Sequence, residues 1–422
     1  MSLRIGIDIG TSGIRAAAID LQDQVVVTAR APHLAQASVY VDAEKWWSAT
    51  QTCLTALVES LISKGYSATD VTGLAVDGTS GTMLLTDEDI RPVGPALMYN
   101  SKGFDAEAEQ IAGIAPPAHI TQGTNSALAR AIRLQSVAER TPHYLMHQAD
   151  FIAAKLTRRP GVSDQNNALK TGFDPAAGQW PDWIAELFAV SLLPQCFAVG
   201  TPISNIHPEV ANALGLSSST MVYTGTTDSI AAFLASAPLE AGVAVTSLGS
   251  TLAVKVLSET RIDDPGIGLY SHRVKDIWLA GGASNTGGAV LAHYFTGDEL
   301  QTLSGRIDTS HPTGLDFYPL LSTGERFPIN NADLAPVLSP RPSEDHLFLQ
   351  AMLEGMARIE AQCYRAIEER GGPFPKMVLT AGGGAKNDTW TELRARALQQ
   401  KPLMAAEPEA SVGVAKLAPV GS

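Results

Sequence analysis

The sequence predicts an α/β protein of two domains, and three observations carry that expectation. A strand–turn–strand phrase occurs once in each half of the chain. It reads Ile7-Asp8-Ile9-Gly10-Thr11-Ser12-Gly13-Ile14-Arg15-Ala16 near the start and Val245-Thr246-Ser247-Leu248-Gly249-Ser250-Thr251-Leu252-Ala253-Val254 later. At 422 residues the chain exceeds what one hydrophobic core ordinarily serves. Apolar strands also run repeatedly into Gly/Ser/Thr/Asp loops that lead on to further structure. These loops lie at Asp77-Gly78-Thr79-Ser80-Gly81-Thr82, Gly225-Thr226-Thr227-Asp228-Ser229, Gly281 to Gly288 and Ala381 to Asn387. α/β proteins usually place ligands at such strand ends.

The elements follow in order. Strands near 4–9, 14–20 and 24–30 form a meander, with a turn from Asp20 to Gln24. A helix over about 42–64 takes Asp42 as N-cap and Glu44 in its first turn, with Trp46 and Trp47 as core packing. A buried strand runs from Val71 to Val76 and ends in the polar loop 77–82; a second continues from Met83 to Thr86. Apolar residues at three- and four-residue spacing predict helices over 126–138 and 147–157. Ser163 to Asp174 is polar and turn-rich and reads as a lid or a lining loop. The second half restarts with a strand at Met221–Tyr223, an apolar helix at 229–236 and a hairpin over 242–257. A helix follows Gly288, a surface connection spans Ser322 to Pro342, and a long helix covers about 343–370. Strand Met377–Thr380 then enters a Gly-rich loop and a last long helix.

Composition excludes several classes. Formal net charge is −13, with an isoelectric point near 5.1, and no basic stripe is visible, so a nucleic-acid partner is not expected. Cys53, Cys196 and Cys363 show no metal-ligand or disulfide spacing, which points to a reducing, cytoplasmic setting. The longest apolar runs, near 230–237 and 242–256, are too short or too polar for a membrane span. No Walker loop, dinucleotide fingerprint or H-E-x-x-H is present, and the histidines are scattered.

The chemistry concentrates in a few positions. Turns built from Gly, Ser and Thr present backbone N–H groups and hydroxyls without bulk, which suits phosphate oxygens. Two of them on two domains imply a nucleotide phosphate tail gripped from both sides. Asp8 precedes the first turn; it would place Mg²⁺, hold a substrate hydroxyl, or cap its own turn. Asp228 precedes an apolar helix, where it serves as an N-cap or as a general base, roles that are compatible. Gly382-Gly383-Gly384 offers bare backbone to a flat ligand, with Asn387 placed to read an adenine edge. Trp390 reads equally as a pocket wall or as helix packing.

Taken in this order, the segments resemble the FGGY carbohydrate kinases of the actin/Hsp70/sugar-kinase superfamily. Within that family the chain is most similar to the short D-ribulokinase-like (xylulose kinase-like) enzymes of cyanobacteria and plants. The phrases VDGTSGT (76–82), HQADFIAAKL (147–156), SDQNNALKTGFD (163–174), GTTDSIAAFLAS (225–236), AVTSLGSTLAVK (244–255) and WLAGGASNTGG (278–288) carry the similarity. Ordinary xylulokinases have S-G-Q-M-H-G where this chain has Asp77 to Thr82. Relatives also often have Asn-Asp where this chain has Asn100-Ser101, and an aromatic residue where it has Val412 before Gly413.

The resemblance implies two actin-like (ribonuclease H-like) domains with a cleft between them. The sugar-binding domain would be 1–235 plus a C-terminal helix at 409–422, and the ATP-binding domain 236–408. It implies that Asp8, Ser80 and Asp228 hold an open-chain ketopentose, with Asp228 as base and Asp8 placing Mg²⁺. Thr11, Ser12, Gly13, Gly249 and Ser250 would approach the ATP phosphates, and Gly383, Gly384, Asn387 and Trp390 the adenine. The expected reaction is transfer of the γ-phosphate of ATP to the terminal hydroxyl of D-ribulose, with D-xylulose or another ketose or polyol as alternative acceptors. An actin- or chaperone-type ATPase switch is the alternative from another class. The expected partner is a small-molecule sugar, with no nucleic acid or membrane, and the chain is expected to be a monomer or homodimer.

Overall fold

The computed structural model describes residues 2–32, 40–406 and 409–419. They fall into two compact units: Met1–Ala235 with Arg273–Lys275 and Glu409–Ser422, and Ser236–His272 with Asp276–Pro408.

The first unit is built on a six-stranded sheet. Strands β1 (Leu3–Ile9), β2 (Gly13–Ile19) and β3 (Val25–Pro32) form the antiparallel meander. Helix α1 (Glu44–Ser63) packs on β2 and β3 through Trp46, Cys53, Leu54 and Leu57, at the three- and four-residue spacing that buries one helical face. Trp46 is fully buried and Trp47 partly so. Asp42 accepts from Glu44 N at 3.0 Å, and the helical turns begin two residues after it.

Strand β4 (Val71–Gly78) runs parallel to β1. Helices α2 (Ala127–Ser136), α3 (Gln148–Thr157) and the short α4 (Gln165–Leu169) follow. Strand β5 (Pro202–Asn205) is antiparallel to β6 (Met221–Thr227), which is parallel to β4 and continues directly into helix α5 (Asp228–Ser236). The sheet order is β5-β6-β4-β1-β2-β3. A small four-stranded sheet (40–41, 83–86, 96–97, 144–147) extends the unit. Strand β6 is four residues longer than the sequence predicts. Its register on β4 shifts between Tyr223 and Thr226, and there Gly225 lies so close to Val76 that an added Cβ would fall 1.6 Å from its carbonyl oxygen. Only glycine fits that approach.

The second unit repeats the plan. The hairpin β7 (Val243–Leu248) and β8 (Leu252–Ser258) is followed by β9 (Tyr270–Val274) and β10 (Ile277–Ser284). Helices α6 (Gly288–Tyr294), α7 (Gly297–Ser304) and α8 (Asp345–Glu368) lead to β11 (Met377–Ala381). Helix α9 (Asp388–Leu398) and β12 (Leu403–Met404) complete it, in the sheet order β9-β10-β8-β7-β11-β12. Helix α8 supplies much of the core, including Phe348, Leu349, Met352, Met356 and Ile359. The chain then returns to the first unit through α10 (Ala410–Ala415), against β1, β2 and β4. The expected C-terminal helix ends at Ala415, and residues 420–422 lie outside the described residues.

Of the two expectations for segment 163–174, a lid or a lining loop, its burial favours the second. The segment forms a short strand and α4, and Ser163, Asp164, Asn166, Asn167 and Thr171 are all buried. These polar groups satisfy one another: the Asp164 carboxylate accepts from the backbone of Asn166 and Asn167 and from Asn167 Nδ2. Among the described residues no helix is long and apolar enough to cross a membrane.

Candidate active site

The parallel register of β1, β4 and β6 brings three carboxyl groups to one end of the first sheet. Asp8 stands opposite Asp77, and Asp77 opposite Thr226, two residues before Asp228 opens α5. Asp8 is 4% exposed and Asp77 fully buried. Burial pushes the Asp8 carboxyl up, Arg15 opposes this, the Asp228 charge adds to it, and a hydrogen bond from Asp77 relieves it. Arg15 Nη1 lies 3.4 Å from Asp8 Oδ2. Asp77 is raised much further, by burial first and then by the Asp8 and Asp228 charges. No donor from elsewhere in the described structure reaches its oxygens. Burial without a donor disfavours the charged form of a carboxyl group so placed. Asp228 is half-buried, and its Oδ1 accepts from Ser229 N at 2.6 Å.

Gly10 N donates to Gly13 O at 3.0 Å and closes the β1–β2 turn, leaving Thr11 and Ser12 exposed at its tip beside Asp8. After β4, loop 78–82 is held from behind. Gln148 Oε1 accepts from Thr79 N and Oγ1 at 2.9 and 2.8 Å, and Thr79 and Thr82 hydroxyls meet at 2.6 Å. Ser80 Oγ, Gln148 Nε2 and Thr227 Oγ1 are enclosed with no partner among the described residues. Asn166 Nδ2 donates to Thr226 Oγ1 at 3.0 Å, so the buried segment 163–174 props the strand that carries Asp228.

In the second unit the β7–β8 turn is fixed by α6, whose Gly288 and Ala289 N–H groups donate to Gly249 O and Ser250 O at 2.8 and 3.0 Å. Ser250 and Thr251 stay exposed. Gly249, Ser250, Gly383, Gly384, Asn387 and Trp390 line one cavity of about 900 Å³, with Leu291 and Leu300 on its apolar side. Asn387 caps α9: its Oδ1 accepts from Trp390 N at 2.9 Å and its Nδ2 donates to Ser304 Oγ at 2.9 Å. Trp390 is 2% exposed, so it packs the helix and walls the cavity at once.

The sequence-predicted residues thus assemble as two groups. Asp8, Thr11, Ser12, Gly13, Ser80 and Asp228 belong to the first unit; Gly249, Ser250, Gly383, Gly384, Asn387 and Trp390 belong to the second. Sequence reasoning assigned Asp77, Arg15 and Gln148 no individual roles. All three lie inside phrases that the sequence singles out, Arg15 in 7–16, Asp77 in 77–82 and Gln148 in 147–156.

Carboxyl groups at strand ends in one unit and a small-residue cavity in the other belong to a two-unit α/β protein. The chain matches the FGGY family of carbohydrate kinases, N-terminal domain, over residues 3–235 and the C-terminal domain over residues 244–422, and it belongs to that family. It is 25% identical over 418 residues to the xylulose kinase of Escherichia coli K12, covering 93% of this chain and 84% of that protein. It is 24% identical over 422 residues to the xylulose kinase of Staphylococcus xylosus, covering 94% and 86%. The crystal structure of a xylulose kinase from Brucella ovis shares the fold at a TM-score of 0.87 and 21% identity, over 99% of this chain and 90% of the other. The protein is a sugar kinase, and this membership sets the ATPase-switch reading aside.

Proposed function

We propose that the protein transfers the γ-phosphate of ATP to the terminal hydroxyl of an open-chain ketopentose, D-ribulose before D-xylulose. The supporting observation is the carboxyl set Asp8, Asp77 and Asp228, in which one member is half-buried and opens a helix while its neighbours are enclosed. Asp228 removes the proton of the attacking hydroxyl. Asp8 and Ser80 hold hydroxyls of the sugar. The turns at Gly10–Gly13 and Gly249–Thr251 offer backbone and hydroxyl donors to the phosphates, and the cavity beside Gly383, Gly384 and Trp390 takes the nucleoside.

Among the described residues no group of three His, Cys, Asp or Glu side chains is arranged to hold a metal ion. Mg²⁺ arriving with the nucleotide needs one or two carboxylates besides phosphates and water, and Asp8 is the residue that would meet it. When bound, Mg²⁺ neutralises phosphate charge.

The loop Asp77 to Thr82, in place of the S-G-Q-M-H-G phrase, supports D-ribulose. The names of the relatives support D-xylulose as the second reading. A panel of pentuloses, hexuloses and polyols with coupled ADP detection tests both. D-ribulose is expected to give the highest kcat/KM. A clear preference for D-xylulose reverses the order, and no sugar-dependent ADP release overturns the reading.

A further inference from the structure

Arg130 on α2 is a buried cation with no counter-charge. The residue is 3% exposed, and no carboxylate among the described residues pairs with it. Its Nε donates to Gly81 O at 2.9 Å across 49 residues of sequence. Its Nη1 is enclosed without a partner. Its Nη2 lies 2.8 Å from where a Cβ on Gly81 would stand, and Gly81 has φ +84°. The guanidinium therefore clasps Gly81 at its carbonyl and over its Cα. Gly81 directly follows Ser80, whose hydroxyl also lacks a partner. Burial alone pulls the Arg130 pKa down, to about 10, with no anion opposing it.

This is a costly way to satisfy one carbonyl. A neutral donor or a water serves a carbonyl equally well, and an uncompensated buried guanidinium opposes folding. Such a cost is expected where a side chain serves a ligand rather than the fold. The other side chains holding this loop, Gln148 and Thr82, are neutral.

We propose that Arg130 is the positioning residue for the acceptor sugar, acting through Gly81 to hold Ser80 in its binding pose and to keep a positive potential behind it for the electron-rich oxygens of the ligand. This rests on the sugar-kinase reading and adds to it a residue outside the strand-end carboxyl set. The guanidinium fork suits the task because Nε and the Nη groups address the loop from one plane, which an ammonium cannot do.

The test uses the full chain with the best sugar of the panel. Arg130→Met is expected to raise the acceptor KM at least tenfold, to leave the ATP KM within twofold, and to leave the melting temperature unchanged or higher. Arg130→Lys, which keeps charge but not the fork, is expected to recover part of the loss, with acceptor KM between those of the wild type and Arg130→Met. A folded Arg130→Met protein with acceptor KM within twofold of wild type overturns the proposal. So does a parallel rise of both KM values with a lower melting temperature, which marks a structural role. If Arg130→Met does not fold, Arg130→Lys decides alone: an acceptor KM raised threefold or more at unchanged ATP KM supports the proposal, and unchanged values for both reject it. Failure of the sugar-kinase reading looks different, because the wild-type protein itself would then release no ADP with any sugar.

Discussion

Asp8 and Asp77 stand directly opposite each other on adjacent parallel strands, with both carboxyl groups buried. Burial and the facing charges raise both carboxyl groups above the usual carboxylate range, Asp77 further than Asp8.

That arrangement fixes a pH dependence. The native Asp77 carboxyl titrates well above its value in the unfolded chain, about 3.9. Folding therefore takes up a proton at pH values between the unfolded and native ones, and the stability tied to this group, full below about pH 4, falls as pH rises toward the native value. The loss amounts to at most about 1.4 kcal/mol per pH unit. Asp77→Asn removes the titration and keeps a hydrogen-bond donor toward Asp8. Its melting temperature relative to wild type is expected to climb steadily between pH 5 and pH 8, read by thermal denaturation across that range. A constant or falling difference would mean that Asp77 is ionised in the native state.

Asp228 opens α5 and carries the base role. Asp228→Ala is expected to lower kcat with the preferred sugar about 10²–10⁴-fold. ADP affinity, read by calorimetry, is expected to stay within threefold, because the cavity lined by Gly383, Gly384 and Trp390 draws no residue from the first unit. Undiminished turnover would remove Asp228 from the mechanism.

Gly384 allows the nucleoside cavity its shape. A Cβ there would stand 2.6 Å from the Trp390 ring and 2.7 Å from the Leu248 side chain. Trp390 is enclosed and cannot retreat without moving α9. Gly384→Val is expected to raise the ATP KM at least tenfold while the sugar KM stays within threefold, in initial-rate measurements varying each substrate. A change in the sugar KM alone would place the cavity outside nucleotide binding.

Much of this was legible residue by residue, and what was not shares one cause. The strand–turn phrases around Gly10 and Gly249 and the helix opened by Asp228 are local, and the sequence shows them directly, whereas the α9 cap at Asn387 is seen only in the structure. The partner of Asp77 is set by strand register and that of Arg130 by tertiary packing, so neither side chain announces its environment. Segment 163–174 leaves two readings open because polarity counts each residue alone, whereas Asp164, Asn166 and Asn167 face one another inside the protein. Glu360 and Arg394 are charged residues on two long helices, which ordinarily marks solvated faces. Here both are fully buried.

That pair carries its own prediction. Arg394 makes a two-point contact with Glu360, at 2.6 and 2.7 Å, and donates to Thr380 Oγ1 at 2.9 Å; Thr246 donates to Glu360 Oε1. Thr246 and Thr380 are register partners on β7 and β11, the strands that lead to the Gly249 turn and the Gly-rich loop. Arg394→Met strands a buried carboxylate and is expected to cost about 3–5 kcal/mol. The double variant Glu360→Leu/Arg394→Met is expected to recover part of that loss, giving a non-additive cycle in denaturant unfolding. Simple additivity would show that the two side chains do not act as a unit.

The last helix of the first unit also rests on close backbone approaches. A Cβ on Gly6 of β1 would fall 1.9 Å from Ser411 O, and one on Gly413 would fall 1.8 Å from Ala231 O of α5. Helix α10 is therefore seated on backbone from both sides, against the strand that carries Asp8 and the helix that begins at Asp228. Backbone contacts cannot yield by a rotamer change, so a single added methyl must move a whole element. Gly413→Ala is expected to destabilise the first unit by at least about 2 kcal/mol, at the upper end of overpacking costs, and to lower kcat more than tenfold without altering ADP affinity. Unfolding curves with parallel kinetics check both parts. A variant as stable as wild type would show that α10 is a loosely held appendage and not a fixed part of the site's support.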